Sequence, residues 1–138
     1  MTRVAVTSRS FSRHPVLRAE LIERYPNTTF NDDGLSLRGE ALVEFLRGHA
    51  KAIIALEPID DALLDALPEL KVLSKYGVGI DMIDIDALRA RGIQFGWTGG
   101  VNKRSVSELV ICFAIALLRH VLPARGEVLE GTWRQHVG

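Results

Sequence analysis

Apolar residues recur along this chain in short bursts of two kinds, and their alternation predicts the fold. Arg3-Val4-Ala5-Val6-Thr7 is short, β-branched and apolar, the pattern of a first strand. The polar stretch Ser8-Arg9-Ser10-Phe11-Ser12 is expected as a loop. Pro15 then suits the first turn of a helix with Val16, Leu17, Leu21 and Ile22 at helical spacing, ended by Pro26-Asn27. Thr28-Thr29-Phe30 predicts a second strand, Asn31–Gly34 a turn, and Ser36 the N-cap of a helix through Arg47 and Gly48. Lys51 to Leu56 is a continuous apolar run, expected as a strand buried on both faces. Asp60 or Asp61 starts a short helix that ends by Pro68, and Val72-Leu73-Ser74-Lys75 predicts a fourth strand. Asp84 caps a helix through Arg91, with Gly92 at its C′ position, before a fifth strand at Ile93-Gln94-Phe95. A long helix follows from about Val101 to about His120, and Pro123 begins a shorter segment.

Five strands separated by helices require crossover connections, which make the sheet parallel. The architecture expected is α/β: a flavodoxin-like, doubly wound, five-stranded sheet of order 2-1-3-4-5 with a long C-terminal helix. Ligands of such folds bind at the carboxyl ends of the strands. The loops there are Ser8–Ser12, Glu57-Pro58, Tyr76–Gly79 and Trp97–Asn102.

Composition narrows the function. Seventeen basic and seventeen acidic residues cancel, which leaves no basic excess for nucleic acid and excludes it as an expected partner. A single cysteine forms no internal disulfide, and the chain reads as cytoplasmic; Cys112 itself is expected to fill core space within the long helix. No long apolar segment follows Met1, so no signal peptide is expected. The longest apolar run, Leu109–Leu118, is about half of the roughly twenty residues a membrane span needs; no membrane is expected, and the run suits a buried or partner-covered helix.

Candidate chemistry is sparse. In Lys75-Tyr76-Gly77-Val78-Gly79-Ile80-Asp81, two glycines flank one residue, which suits either an anion-binding nest of outward amides or a sharp strand-to-helix turn. Met82 stands where a dinucleotide fingerprint needs its third glycine. Asp81, Asp84 and Asp86 lack the glycine and distal glutamate of a calcium loop and are read as helix capping, so no metal is expected. His14, His49, His120 and His136 lack metal-ligand spacing and are assigned to surface or helix-end roles. The hydroxyls of Thr7, Ser8, Ser10 and Ser12 are superficially compatible with a flavin phosphate loop, although no glycine lets the backbone approach. A phosphoacceptor receiver is excluded, because Thr7-Ser8 and Leu56 stand where it needs carboxylates. Trp97 and Trp133 are assigned to packing.

Three segments, LKVLSKYGVGIDMIDIDALRARGI, GVNKRSVSELVICFAIALLRH and ARGEVLEGTW, together resemble the D-isomer-specific 2-hydroxyacid dehydrogenase family. The resemblance implies a first, flavodoxin-like substrate domain. A Rossmann domain would follow, binding NAD or NADP and supplying a catalytic arginine, glutamate and histidine. On that pattern residues 1–122 form the substrate-binding domain and residues 123–138 an interdomain tail, with the Rossmann domain missing. No catalytic residue and no tightly bound cofactor are then expected in this chain. The backbone amides of Val78 and Gly79 would hold the substrate carboxylate, in a loop that includes Tyr76 and Gly77. Val78 would also touch the nicotinamide of the cofactor. Leu56 and Glu57 match a substrate-facing loop, where a glutamate suits an anionic substrate only if it points away. Asn102 matches a substrate-contacting asparagine of the formate dehydrogenase branch, with helix N-capping as its competing role.

The expected partners are a 2-hydroxy or 2-keto acid, the missing Rossmann domain, and a second copy of the chain. The last is an expectation from the long helix, apolar around its circumference from Leu109 to Leu118. A stand-alone carboxylate-binding or assembly module is the alternative to an incomplete oxidoreductase.

Overall fold

The computed structural model describes residues 2–136, in two compact units, Met1–Gly99 and Gly100–Gly138. In the first unit five strands, β1 (Val4–Val6), β2 (Thr28–Phe30), β3 (Lys51–Ile54), β4 (Val72–Lys75) and β5 (Gln94–Gly96), form one sheet in the order β2-β1-β3-β4-β5. Every neighbouring pair is parallel, with Val6 opposite Ile53 and Ile53 opposite Ser74. The connecting helices are α1 (Arg9–Arg13), α2 (Pro15–Arg24), α3 (Gly39–Leu46), α4 (Asp61–Asp65) and α5 (Ile85–Ala90). This is the doubly wound architecture that the alternation of elements predicts.

Strand pleating sorts side chains onto two faces. Ala5, Ala52, Ile54 and Leu73 join Leu42, Leu46, Leu63, Leu64 and Leu88 in the larger core. Val6 points the other way and packs with Phe11 and Phe30, flanked by Leu17, Leu21 and Ile53. The run from Lys51 is therefore not buried on both faces as expected: Ala52 and Ile54 are buried, while Lys51 and Ile53 are half-buried. The strand also stops at Ile54, leaving Leu56 69% exposed.

Capping explains where the helices begin. Asp60 and Asp84 accept hydrogen bonds from the amides of Leu63 and Ala87, each at 2.8 Å, as the sequence suggests. Gly92, at φ +66°, ends α5 in the left-handed conformation expected of it. Two boundaries differ from expectation. Ser8–Ser12 is not a loop: Ser8 Oγ accepts from the Phe11 amide, and Phe11 is buried, so α1 forms. Ser36 caps nothing, because Leu37 is drawn into the core and the helix starts only at Gly39, after Arg38.

His49, expected at the surface or a helix end, is buried just past α3. Its Nδ1 faces the Arg47 carbonyl at 3.1 Å, so Nδ1–H donates and Nε2 accepts from the Thr29 hydroxyl. Burial, then the nearby Arg3 charge, lowers its pKa and favours this neutral form.

The second unit contains α6 (Lys103–Leu118) and α7 (Val121–Leu129). Pro123 sits inside the first turn of α7, where its missing N–H costs no bond, so the helix begins two residues earlier than expected. Every residue of α6 except Ala116 is exposed, Cys112 included, which corrects its assignment to the core. Among the described residues no single helix is long and apolar enough to cross a membrane.

Candidate functional site

The parallel register brings the carboxyl ends of β1, β3, β4 and β5 to one edge of the first unit. At β1 the polar residues are spent internally. Thr7, Ser8, Ser12 and Asn31 are all buried. Ser12 Oγ receives the Asn31 amide at 3.2 Å, and Asn31 Nδ2 donates to the Thr7 carbonyl at 2.8 Å. Three of the four hydroxyls that a flavin phosphate loop would use are therefore turned inward, which removes that reading.

At the end of β3, Glu57 folds back on its own strand. Its Oε2 accepts the Ala55 amide at 2.6 Å, and the residue is buried. The carboxylate therefore closes the strand end instead of projecting into solvent, whereas Leu56 projects outward. The next loop is tied across to the segment after β4: Ile59 donates to the Met82 carbonyl and Asp84 donates back to Ile59.

β4 ends in the glycine pair. The Tyr76 amide extends the ladder to the Ile54 carbonyl at 2.7 Å, and its ring meets Phe11 edge-on at 5.3 Å. Gly77 then adopts φ +130°, a conformation that residues with a Cβ rarely enter. Among the described residues, the amides of Gly77, Val78 and Gly79 donate to no protein group. Gly77 and Gly79 are exposed and Val78 half-buried, so three consecutive donors stand open to a ligand. Lys75 lies against this turn, its Nζ 3.9 Å from where a Cβ on Gly77 would sit. Burial pulls the Lys75 pKa down while the Glu57 carboxylate pulls it up.

β5 contributes Trp97, which sequence reasoning assigned only to packing. Its Nε1–H donates to the Val78 carbonyl at 3.0 Å. A tryptophan directly after the last strand, in a glycine-flanked loop at the carboxyl edge of the sheet, was the signal available. Asn102 belongs to the second unit, at the N-cap position of α6, where its side chain makes no capping bond.

The glycine turn does not suit the pyrophosphate of a dinucleotide. Its amides lead into the segment Ile80–Asp84 and not directly into a helix, and α5 starts only at Ile85. Two cavities of the first unit, about 340 and about 290 Å³, lie at the opposite edge, among residues such as His49, Glu69, Lys71 and Arg91 that precede the strands. A third cavity, of about 270 Å³, is lined by residues such as Pro58, Asp60 and Leu63 in the loop and helix that follow β3.

Fold and turn together define a doubly wound α/β domain with a row of free backbone donors at the carboxyl edge of its sheet. The model of the D-isomer specific 2-hydroxyacid dehydrogenase catalytic domain matches residues 4–130, and the chain belongs to that family. A glyoxylate reductase of Thermococcus litoralis is 29% identical over 117 residues, covering 84% of this chain and 35% of that protein. A glyoxylate reductase of Thermofilum pendens is 34% identical over 96 residues, covering 70% and 28%. The chain thus spans about a third of the length of these curated relatives.

Among solved structures, a protein of Thermus thermophilus superposes with a TM-score of 0.75 at 27% identity, over 99% of this chain and 43% of that one. An NAD-dependent formate dehydrogenase of Staphylococcus aureus, solved with NAD, superposes with a TM-score of 0.71 at 22% identity, over 97% and 43%. The latter likeness is one of fold.

Proposed function

We propose that this chain is the substrate-binding part of an NAD(P)-dependent D-2-hydroxyacid dehydrogenase and holds the carboxylate of a small 2-keto or 2-hydroxy acid. The observation that carries this reading is the Gly77-Val78-Gly79 turn, with three consecutive unspent amides at the carboxyl edge of the sheet. Backbone N–H groups fixed in advance bind a carboxylate at little ordering cost, and the half-buried Lys75 ammonium adds a favourable charge. Glu57 is turned back onto the Ala55 amide, while the Asp81 carboxylate stays beside the turn, its Oδ2 3.7 Å from where a Cβ on Gly79 would sit, and opposes the Lys75 charge there. The glyoxylate reductase relatives suggest glyoxylate or a similarly small keto acid. Leu56 and Tyr76, both exposed at this edge, suit contacts with the rest of the substrate.

Hydride transfer is assigned to a nucleotide-binding domain, whose GxGxxG fingerprint does not occur among these 138 residues. That domain would bring the nicotinamide to Val78 and supply the groups that move the proton and polarise the keto oxygen. Residues 1–122 would serve as the substrate domain, with residues 123–138 leading away from it. Titrating glyoxylate into the 138-residue chain without cofactor is expected to show one-to-one binding with Kd on the order of 1 mM, as suits a few hydrogen bonds to a small ion. An absence of binding heat up to saturating glyoxylate would remove the carboxylate reading. With NADH added, no steady loss of nicotinamide absorbance is expected.

The same reading gives α6 a partner. Val110, Ile111, Phe113, Ile115, Leu117 and Leu118 are each more than half exposed, an apolar surface larger than a lone chain ordinarily leaves open. A second copy of the chain is proposed to cover it. Light scattering should show self-association of the wild-type chain at micromolar concentration and a monomer for Phe113→Glu. A wild-type chain that stays monomeric throughout would count against the proposed partner.

A further inference from the structure

Trp97 is a large aromatic residue on an open edge, 44% exposed, yet its one polar group is committed. The indole Nε1–H donates to the Val78 carbonyl at 3.0 Å, joining the end of β5 to the turn after β4. The carbonyl of Val78 and the amide of Gly79 belong to one peptide unit. In a trans peptide these two groups point in opposite directions, and no cis bond occurs among the described residues. Whatever grips the carbonyl therefore aims the amide the other way.

The surroundings hold the indole in place. A Cβ at Gly99 would lie 2.8 Å from Trp97 Cη2 and 2.9 Å from Cζ2, a clash with a rigid ring that has no flexible end to give way. A Cβ at Gly96 would lie 2.9 Å from Ser74 Oγ, so β5 approaches β4 closely just where Trp97 leaves the sheet. The two glycines allow the ring to reach across to Val78. The turn itself needs such a hold, because Gly77 at φ +130° has wide backbone freedom and the amides of residues 77–79 have no protein partners among the described residues.

We propose that Trp97 is a positioning residue: its indole N–H fixes the Val78–Gly79 peptide plane and so sets the direction in which the Gly79 N–H is presented to the substrate carboxylate. This rests on the carboxylate reading above, and it assigns a specific role to a residue that touches no substrate in that scheme. Gly99 serves the same end by leaving room for the ring.

The test follows the Gly79 amide resonance by NMR in the 138-residue chain, first without ligand and then during a glyoxylate titration. Replacing Trp97 by 3-benzothienylalanine keeps the ring shape and removes only the N–H. This variant is expected to keep the thermal midpoint, to move the ligand-free Gly79 resonance, and to weaken glyoxylate binding about tenfold, the effect of one well-placed hydrogen bond. Gly99→Ala, which keeps the indole N–H but displaces the ring and so carries that N–H away from the Val78 carbonyl, should reproduce both effects. An unmoved Gly79 resonance and unchanged affinity in these variants would show that the ring only packs, and would overturn the proposal. Should the wild-type chain bind no glyoxylate, the carboxylate reading falls on its own account. Trp97 is then judged by the ligand-free spectra: a moved Gly79 resonance supports its hold on the peptide, and an unmoved one overturns it.

Discussion

Gly77→Ala is expected to abolish glyoxylate binding while leaving the chain folded. Space is not the obstacle, since a Cβ there meets Lys75 Cε at 3.7 Å, an ordinary contact. The obstacle is the backbone, because φ +130° places a Cβ in a region that L residues scarcely populate. Holding alanine there costs on the order of 1–3 kcal/mol, and the exposed turn has an easier escape in rotating Gly77 to negative φ. That rotation swings the Val78 amide away from its neighbours and dismantles the row of donors. The expected result is a loss of binding of more than about tenfold. The thermal midpoint should fall by only a few degrees, roughly what 1 kcal/mol produces in a domain of this size.

Gly92→Ala is the control. It also forces a left-handed residue, at φ +66° with nothing within 4 Å, but at the amino-terminal edge of the sheet. It should cost stability of about 1 kcal/mol and leave binding unchanged. Equal binding by Gly77→Ala and the wild type, measured by calorimetry, would show that the turn's conformation is not what presents the amides.

Leu73→Ala is expected to produce the largest loss of stability of any single truncation proposed here. Leu73 lies in β4, between β3 and β5, and is completely buried among the leucines of α3, α4 and α5. Removing its side chain forfeits transfer energy and leaves a cavity that two hydrogen-bonded neighbours cannot close, at a cost of about 2–5 kcal/mol. Domains of this kind have only about 5–15 kcal/mol in total. Urea denaturation should show a large drop in midpoint with an unchanged slope. Leu56→Ala, two residues beyond β3 and mostly exposed, should change stability by less than about 0.5 kcal/mol. A comparable loss from both would mean that the larger core is not organised around β4 as described.

Several features were legible in the sequence because they depend on neighbours along the chain. Short β-branched runs separated by helical spacing specify parallel strands, and the order β2-β1-β3-β4-β5 follows from how few topologies such a series allows. Asp60 and Asp84 were readable as caps because the bond reaches only three residues forward. The left-handed C′ position of Gly92 was readable for the same reason.

The misreadings share the opposite cause. Ser8–Ser12 looks polar in sequence, yet Phe11 finds Val6 and Phe30, Ser12 is satisfied by Asn31 and the end of β1, and Ser8 accepts from the Phe11 amide. Cys112 sits in an apolar run, but an apolar run becomes core only where another element packs on it, and here α6 stays exposed. Glu57 could be placed in the loop after β3 from sequence, but not aimed.

The site divides in the same way. By itself the sequence determined the sheet, the edge at which its strands end and the presence of a glycine turn there, because periodicity, capping and glycine spacing are local properties of the chain. Only the tertiary structure decided that Glu57 turns back to Ala55, that Lys75 lies beneath Gly77, and that Trp97 grips Val78. Trp97 and Val78 meet because the ends of β4 and β5 lie in register, whereas Glu57–Ala55 and Lys75–Gly77 are near neighbours whose side-chain direction is set by what packs around each strand end.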